Sequence, residues 1–302
     1  MWEYSRWPEG SWRREGADWE KAAKVTAGLD IGATSVQAAI LCDGELYSYA
    51  NLRLERDFRG GAEEALKRAL GGSGLTPEGL SAAGVTGFAK RNAPIEAKSL
   101  DEVRCHGIGA RYLYGPEVTT VVDIGAQSCA AIRLYEWDRV RDFMSNDICA
   151  TGMGRNIEMI CELLHVPITE IGERSLSLDG KADPEPVSTT CYNFAKTETL
   201  GLYRPEYKAD PLSENEVYAS YLFSIAWRIL GVIGKLQPLD PGDVKVYEKL
   251  AFTGGLAKNP GITRRIEREL KVEALKSKYD PMLAGAIGAA ILAAEGGGAG
   301  GF

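Results

Sequence analysis

Residues 25–44 read VTAGLDIGATSVQAAILCDG. This stretch predicts a strand, a turn of small residues, a second strand and a hairpin turn at Asp43-Gly44. The same order returns at 119–147, TTVVDIGAQSCAAIRLYEWDRVRDFMSND, where a strand again ends in Asp-Ile-Gly ahead of a small-residue turn. Two copies of the pattern in one chain predict an α/β protein whose two related halves face a shared cleft.

The Asp-Ile-Gly turns carry the first recognisable chemistry. Asp30 and Asp123, each at the end of a predicted strand, can hold hydrated magnesium, and Gly32 and Gly125 let backbone amides approach a phosphate closely. One such turn alone is better explained as an ordinary hairpin with Asp and Gly as turn residues. The second copy, together with a third glycine turn at 252–259, FTGGLAKN, favours a nucleotide site instead.

Composition and charge restrict the class of protein. The 302 residues are 45% hydrophobic and 25% charged, which predicts a globular chain with room for two domains. The formal net charge of −7 gives no reason to expect nucleic-acid or membrane-surface binding. No apolar run approaches the roughly 18–20 residues of a membrane span. The N-terminus, MWEYSRWPEGSWRREG, lacks the apolar core of a signal peptide, so we expect a cytoplasmic protein.

The cysteines are widely spaced, which suits reduced thiols or a metal site better than a disulfide framework. They are Cys42, Cys105, Cys129, Cys149, Cys161 and Cys191. Cys149 lies in the segment 146–156, NDICATGMGRN, ahead of a predicted amphipathic helix whose first amides would stabilise a thiolate. From the residues alone this thiol is a nucleophile, a metal ligand or a small core residue. We expect structural roles for the other cysteines except Cys191, and for both histidines, His106 and His165.

Taken together, the three turns resemble those of the superfamily of actin, sugar kinases and heat-shock ATPases, whose two related ribonuclease H-like domains hold ATP in a cleft. The resemblance covers residues 25–294 and implies phosphate loops at DIGATS and DIGAQS and an adenosine turn at FTGGLAKN. The implied catalytic residues are Asp30, Asp123 and Gln127, with Asp30 and Asp123 binding Mg²⁺ through water. The implied residues for ATP or ADP are Gly32, Ala33, Thr34, Ser35, Gly125, Gly152, Gly154, Gly254, Gly255, Lys258 and Asn259.

The segments NDICATGMGRN and STTCYNFAKTE, the latter at 188–198, are similar to the paired cysteine segments of the BadF/BcrA family. This family contains activators of 2-hydroxyacyl-CoA dehydratases and the ATPase subunits of benzoyl-CoA reductase. The resemblance implies that Cys149 and Cys191 bind a [4Fe-4S] cluster shared with a homologous ATPase subunit, on a pair of helices at the subunit interface. It also implies that Mg-ATP closes the domains and reorients these helices, so that ATP turnover drives a low-potential electron into a partner enzyme.

Within that family the chain looks most like the benzoyl-CoA reductase ATPase subunits. The features that carry this are the tryptophan-rich leader, GELYSYANLR, CHGIGARYLYGPEVTTVVDIG and FAKTETLGLYR. They imply an electron-activating subunit that works with catalytic reductase subunits binding an aromatic acyl-CoA and with a low-potential donor such as ferredoxin. Two alternatives stay open, a homodimeric dehydratase activator and a cluster-free small-molecule kinase.

The leader holds Trp2, Trp7, Trp12 and Trp19 ahead of the first predicted strand. Tryptophans bury large areas at interfaces, so we interpret residues 1–24 as an aromatic arm that docks on another subunit. The alternative is a strap over the chain's own first domain. We expect that first ATPase domain at 25–115 and 281–295, a second domain with the cluster cysteines at 116–280, and a flexible tail at 296–302.

The second phosphate turn departs from the family pattern, which commonly reads Asp-x-Gly-Gly-Gln-Asp. Ala126 replaces a glycine and Ser128 replaces the acid, so a carboxylate that could organise magnesium or the attacking water is missing beside Gln127. Thr151 and Met153 also stand where Ala and Thr are usual. These changes bear on the rate of ATP hydrolysis, and a heteromeric complex would tolerate one weaker site.

Overall fold

The computed structural model describes residues 3–135, 139–146, 152–203, 211–236, 247 and 249–295. The chain divides into two compact units, which we name after the aspartates of their turns. The Asp30 unit comprises 8–121, 132–141 and 276–302, and the Asp123 unit comprises 1–7, 122–131 and 142–275.

The Asp30 unit is built on a six-stranded sheet. Its strands are β1 (Gly10–Arg13), β2 (Val25–Ile31), β3 (Ser35–Cys42), β4 (Glu45–Arg53), β5 (Ala82–Thr86) and β6 (Lys98–Ser99). Their order is β1-β4-β3-β2-β5-β6, with β3 antiparallel to both β2 and β4, and β5 parallel to β2. The helices are α1 (Phe58–Leu70), α2 (Glu102–Tyr114) and, late in the sequence, α8 (Ala284–Ala294).

The predicted hairpin between β3 and β4 is confirmed. Asp43 and Gly44 have φ values of +50° and +83°, the left-handed pair that a two-residue type I′ turn requires. All residues of β2 are buried, as are the middle six of β3. Their nearly continuous apolar sequence therefore reflects burial on both faces of the sheet rather than on one.

A second sheet repeats part of this arrangement. Its strands are β7 (Thr120–Ile124), β8 (Cys129–Leu134), β9 (Val140–Ser145) and β10 (Leu250–Thr253). They follow the order β10-β7-β8-β9, so β7, β8 and β9 are neighbours in the same succession as β2, β3 and β4. The duplication read from the sequence is confirmed in the strand order, and the fold is mixed α/β as predicted.

The Asp123 unit contains five helices among its described residues. They are α3 (Met153–Leu163), α4 (Ile168–Arg174), α5 (Tyr192–Tyr203), α6 (Glu214–Ile233) and α7 (Pro260–Leu270). Their apolar faces pack with β7, β8 and β10 into one core. Cys161 of α3 is fully buried in that core, which confirms its structural role.

Helix α6 is long and apolar enough to cross a membrane by length and composition. It begins with a capping box between Ser213 and Glu216, and 67% of its most apolar stretch is buried inside the protein. The sequence had suggested no apolar segment of that length. Burial against its own unit, rather than composition, identifies α6 as a core helix.

Helix α8 packs on β2 and α2 at backbone contact distance. A Cβ at Gly28 of β2 would lie 1.8 Å from the carbonyl oxygen of Ala286, and a Cβ at Gly288 would lie 1.9 Å from the carbonyl oxygen of Cys105 in α2. Glycine is therefore required on the strand at one contact and on the helix at the other, because no side chain fits between the backbones.

The leader packs on the chain itself. Trp7 lies against the core of the Asp123 unit. In the Asp30 unit, Trp12 pairs with Tyr49 across β1 and β4, its ring centroid 6.0 Å from that of Tyr49. The Trp19 indole N–H donates to the carbonyl oxygen of Ser73 at 2.8 Å. Trp12 and Trp19 thus contact the chain's own Asp30 unit, as in a strap, while Trp2 lies outside the described residues.

We predict that Trp19→Ala lowers the free energy of unfolding by about 2 kcal/mol, because it removes both a half-buried ring and its hydrogen bond. Urea unfolding of the purified chain would measure this. Trp227→Ala is the matched control, since the Trp227 side chain is 52% exposed and its loss should cost much less. If wild type and Trp19→Ala are equally stable, and the variant instead loses a partner subunit, the interpretation of the leader as a docking arm is supported.

Candidate nucleotide and metal site

The Asp30 turn, residues 30–35, joins β2 to β3. Asp30 is the penultimate residue of β2 and is 7% exposed, whereas residues 32–35 are partly exposed. The Gly32 N–H donates to the carbonyl oxygen of Ser35 at 2.9 Å and closes the turn. The structure thus brings the predicted first phosphate loop together in one closed turn that a ligand can reach. Its members are Gly32, Ala33, Thr34 and Ser35.

Small residues surround the Asp30 carboxylate. A Cβ at Gly87 would lie 2.3 Å from Asp30 Oδ1, and a Cβ at Gly285 would lie 2.1 Å from Oδ2. Nε2 of His106, a residue of α2 that is 4% exposed, lies 3.5 Å from Asp30 Oδ2. His106 is a buried, paired histidine as expected. Its partner, however, is the candidate magnesium ligand, which no spacing in the sequence indicated.

The Asp123 turn, residues 123–128, repeats the geometry of the first. Asp123 is the penultimate residue of β7 and is 5% exposed. The Gly125 N–H donates to the carbonyl oxygen of Ser128, again at 2.9 Å. Thr253 at the end of β10 donates its hydroxyl to Asp123 Oδ1 at 3.0 Å. Each unit therefore carries one buried aspartate beside one closed glycine turn.

A Thr-Gly pair ends the strand beside each aspartate. Thr86-Gly87 stands at the end of β5, and Thr253-Gly254 at the end of β10. Gly87 and Gly254 have φ values of +90° and +83°, and a Cβ on them would lie 2.7 and 2.6 Å from the carbonyl oxygen of the isoleucine in the adjacent turn. The sequence had indicated only Gly254. The signal for its counterpart was the repeat of Thr-Gly in VTGF at 85–88 and FTGG at 252–255.

The second phosphate turn also contacts the start of α3. The N–H groups of Gly154 and Arg155 donate to the carbonyl oxygen of Ala126 at 3.1 and 3.3 Å. Gly152 precedes the helix with a φ of +45°, and a Cβ there would lie 2.1 Å from the same oxygen and 2.8 Å from the Cα of Gln127. Gly152 and Gly154 therefore contact the Asp123 turn, and their binding of nucleotide stays a prediction.

The third turn joins β10 to α7. Residues Gly255–Lys258 form a 3₁₀ turn, and the Lys258 ammonium lies 5.2 Å from the ring centroid of Trp7. Asn259 is fully buried, and within the described part of the chain its side-chain Oδ1 and Nδ2 have no hydrogen-bond partner. A buried amide without a partner is costly, so this side chain is a candidate to bind a ligand or a water molecule.

Cys191 directly precedes α5 and is a free, half-buried thiol. Arg228 of α6 holds the residues on both sides of it. Its guanidinium donates to the carbonyl oxygens of Thr189 at 2.8 Å and Ser188 at 2.9 Å, and stacks 3.8 Å from the ring centroid of Tyr192. This bidentate, stacked contact fixes the turn that presents Cys191.

Helix α6 also supports the helix that follows the other candidate ligand. The Tyr221 hydroxyl donates to Oδ1 of Asn156 in α3 at 2.7 Å, and both side chains are buried. Cys149 and Thr151 lie outside the described residues, and α3 begins four positions after Cys149. One helix thus contacts α3 through Tyr221 and the Cys191 turn through Arg228, about two helical turns further along.

The remaining cysteines have the properties of structural residues. Burial raises the pKa of the Cys105 thiol to about 12 and also raises the pKa of Cys129 and Cys161. Burial likewise raises the pKa of the half-buried Cys42. Thiols with raised pKa values carry little thiolate at neutral pH, so they are poor nucleophiles and poor metal ligands.

The donor sets fit the groups that the sequence implies. The Asp30 and Asp123 carboxylates supply the hard oxygen atoms that Mg²⁺ prefers, and glycines leave space at both. The free thiol of Cys191 is the ligand type of iron–sulfur clusters. Matching strand orders and two closed Asp-Ile-Gly turns define a duplicated, actin-like ATPase.

Comparison with known proteins agrees with this class. The model of the BadF/BadG/BcrA/BcrD ATPase family matches residues 27–293, and the chain belongs to this family. It is 32% identical over 273 residues to the activator of lactoyl-CoA dehydratase of Anaerotignum propionicum, covering 89% of this chain and 97% of that protein. The activator of 2-hydroxyisocaproyl-CoA dehydratase from Clostridium difficile with bound ADPNP matches the structure with a TM-score of 0.76. The identity is 28%, over 90% of this chain and 94% of that one.

The comparisons do not favour the expected likeness to benzoyl-CoA reductase subunits over a likeness to dehydratase activators. One subunit of the benzoyl-CoA reductase of Thauera aromatica is 28% identical over 276 residues, covering 88% of this chain and 92% of that protein. The lactoyl-CoA dehydratase activator shares a higher identity over nearly the same fraction of the chain. The comparisons support an ATP-dependent activator, with the dehydratase branch ahead of the reductase branch.

We predict that Arg228→Met raises the alkylation rate of Cys191 in the metal-free protein by about tenfold, because two charge-assisted hydrogen bonds no longer hold its turn. Mass spectrometry of iodoacetamide-treated protein would measure each cysteine separately, with Cys42 as the internal reference. Arg228→Lys should raise the rate as well, since an ammonium keeps the charge but not the fork or the stacking.

Arg264→Met is the matched control, because the Arg264 side chain is 58% exposed and its ion pair, with Glu173 at 3.4 Å, lies away from the Cys191 turn. Its effect on Cys191 should be negligible. An unchanged rate in Arg228→Met would mean that the turn holds its shape without the guanidinium.

Proposed function

We propose that this chain is an ATP-dependent electron activator of the 2-hydroxyacyl-CoA dehydratase activator class. The observation that carries the proposal is the contact between the Asp123 turn and the start of α3, because the segment directly ahead of that helix holds Cys149. The 32% identity to the lactoyl-CoA dehydratase activator supports the dehydratase branch.

The two Asp-Ile-Gly turns bind the phosphates of Mg-ATP in this proposal. Gly32 and Gly125 close the turns, and backbone N–H groups of 33–35 and 126–128 and the Ser35 hydroxyl donate to phosphate oxygens. Asp30 and Asp123 hold Mg²⁺ through water. Gln127 orients the attacking water. The turn formed by Gly254, Gly255, Lys258 and Asn259 receives the nucleoside.

Binding at the Asp123 turn has a direct route to α3. The Ala126 carbonyl oxygen accepts from two amides at the start of that helix, so a nucleotide that shifts the turn also shifts the helix. The nucleotide can move this equilibrium only by its preference for one arrangement over the other. Helix α6, through Tyr221 and Arg228, connects α3 with the Cys191 turn.

Cys149 and Cys191 are the proposed iron ligands of this chain. When bound, a [4Fe-4S] cluster shared with a homologous subunit would supply low-potential one-electron chemistry. The chain's own contribution is to hold the two thiolates, to bind nucleotide, and to link the positions of both through α3 and α6. The electron acceptor is a catalytic partner enzyme, the donor a low-potential protein such as ferredoxin, and the compartment the cytoplasm.

A subunit of a benzoyl-CoA-type reductase is the second candidate. Ser128 favours it, because a subunit that lacks the usual acid of the second turn is best tolerated beside a second, complete ATPase subunit. In that case the catalytic partners bind an aromatic acyl-CoA. In both candidates we place the ATPase domains at 25–115 with 281–295 and at 116–280, and the tail at 296–302.

We predict that Cys149→Ser and Cys191→Ser each remove most of the iron while ADP affinity stays within about twofold, because neither residue lies in the three nucleotide turns. Anaerobic purification, iron analysis and calorimetry with Mg-ADP would test this. Cys42→Ser is the matched control and should keep both iron and ADP binding. Full iron content in both single variants would refute the ligand assignment.

The branch of the family can be decided by partner and symmetry. A dehydratase activator should purify anaerobically as a homodimer and restore activity to a 2-hydroxyacyl-CoA dehydratase with ATP and a reductant. A reductase subunit should instead co-purify with a different ATPase chain and with catalytic subunits. A monomer without iron that phosphorylates a small hydroxyl or carboxylate compound would refute both.

A further inference from the structure

A pair of buried amides lies beneath the Asp30 turn. Gln37 of β3 is 3% exposed and Asn51 of β4 is 4% exposed. Nε2 of Gln37 donates to Oδ1 of Asn51 at 2.8 Å and to the hydroxyl oxygen of Ser35 at 3.1 Å. Both hydrogens of the Gln37 amide are therefore committed, one to the neighbouring strand and one to the turn.

The carboxylate of Asp280 fixes which way these amides point. Nδ2 of Asn51 faces Asp280 Oδ2 at 3.5 Å and the sulfur of Met282 at 3.3 Å. A carboxylate accepts hydrogen bonds and cannot donate them, so the Asn51 side chain must turn its NH₂ group toward Asp280 and its oxygen toward Gln37. That oxygen in turn requires the NH₂ group of Gln37, and the same group then donates to Ser35.

The direction of this chain of hydrogen bonds determines the role of Ser35. A hydroxyl that accepts at one lone pair keeps its hydrogen for a donor role, and here the donor Gln37 lies on the sheet side. The Ser35 backbone carbonyl already accepts from Gly32, and the residue is partly exposed. Because the Ser35 hydroxyl oxygen accepts from Gln37, its hydrogen points away from Gln37 and can be donated to a ligand at the turn.

We propose that Gln37, Asn51 and Asp280 are positioning residues that keep the Ser35 hydroxyl as a hydrogen-bond donor to a nucleotide phosphate. The inference rests on the proposed function for its ligand, an anionic phosphate bound at the Asp30 turn. It adds that a carboxylate outside the turn, 245 positions from Ser35 in the sequence, determines that the Ser35 hydroxyl donates in this contact. The hydrogen-bond chain acts through its direction, and no group in it changes its charge.

The test is a double-mutant cycle on Mg-ADP affinity, measured by calorimetry with the full chain. Gln37→Leu should weaken ADP binding about fivefold and Ser35→Ala about tenfold, the range expected for one hydrogen bond. The double variant should be no weaker than Ser35→Ala alone, because Gln37 acts only through the Ser35 hydroxyl. Multiplication of the two losses in the double variant would overturn the proposal.

Asp280→Asn tests the direction of the hydrogen bonds while keeping a side chain of the same size at position 280. Asparagine can still cap the turn in which Asp280 Oδ1 accepts from the Met282 N–H at 3.0 Å, but it no longer dictates the orientation of Asn51. We expect a loss of ADP affinity of about twofold to threefold that disappears in the Ser35→Ala background. Wild-type affinity in both Asp280→Asn and Gln37→Leu would refute the positioning role.

Ser48→Ala is the matched control for general loosening of the sheet. Ser48 lies on β4 with Asn51, is 1% exposed, and donates to the carbonyl oxygen of Ala69 at 2.6 Å. It should lower the melting temperature about as much as Gln37→Leu while leaving ADP affinity unchanged. A parallel loss of ADP affinity in Ser48→Ala would overturn the inference, whereas a wild-type chain that binds no ADP would refute the proposed function itself.

Discussion

Backbone contact between α8 and the sheet is the constraint on which the Asp30 site depends. A Cβ at Gly28 or Gly84 would lie 1.8 or 2.3 Å from a carbonyl oxygen of the helix, so no side chain fits there. Because the helix lies this close, Gly285 is set against the Asp30 carboxylate, and α2 brings His106 to the same carboxylate oxygen. Added bulk along this contact must displace either the helix or the carboxylate, as expected for a close-packed interior. The small residues of α8 are thus a property of the site as well as of the core.

The sequence allowed prediction of the features that rest on local chemistry. The Asp43-Gly44 hairpin, the two closed turns and the third turn all depend on residues that are adjacent in sequence. The hairpin and the third turn use left-handed φ values at Asp43, Gly44 and Gly254, and the two closed turns use a short backbone hydrogen bond. Strand order was predictable in part because the strand-turn-strand pattern occurs twice. The same duplication extends to Thr86-Gly87, but a single Thr-Gly pair is too weak a signal to indicate a site by itself.

Other parts of the site depend on packing between distant segments and leave no spacing in the sequence. Arg228 is 37 positions from Cys191, and Asn51 is 229 positions from Asp280, so neither contact has a local signature. The leader shows the limit of composition. Its tryptophans indicated a large buried area, but only the register of β1 on β4 shows that part of this area is the chain's own sheet. In α6, likewise, burial rather than hydropathy separates a core helix from a membrane span.

The altered second turn separates two properties that a nucleotide switch could otherwise combine. The contact from the Asp123 turn to α3 is made by the backbone carbonyl of Ala126 and by backbone amides, with glycine at 152 and 154 where a Cβ would lie 2.1 and 2.9 Å from Ala126 atoms. None of these groups involves the side chain at position 128, where serine replaces the usual acid. Loss of that acid can slow hydrolysis because it affects the organisation of water or magnesium, yet the backbone link to α3 remains complete. In such a protein nucleotide binding can shift α3 fully while hydrolysis is slow. The reason is that the equilibrium between the two positions of the helix depends on how much more tightly the nucleotide binds one of them, and not on the rate of hydrolysis.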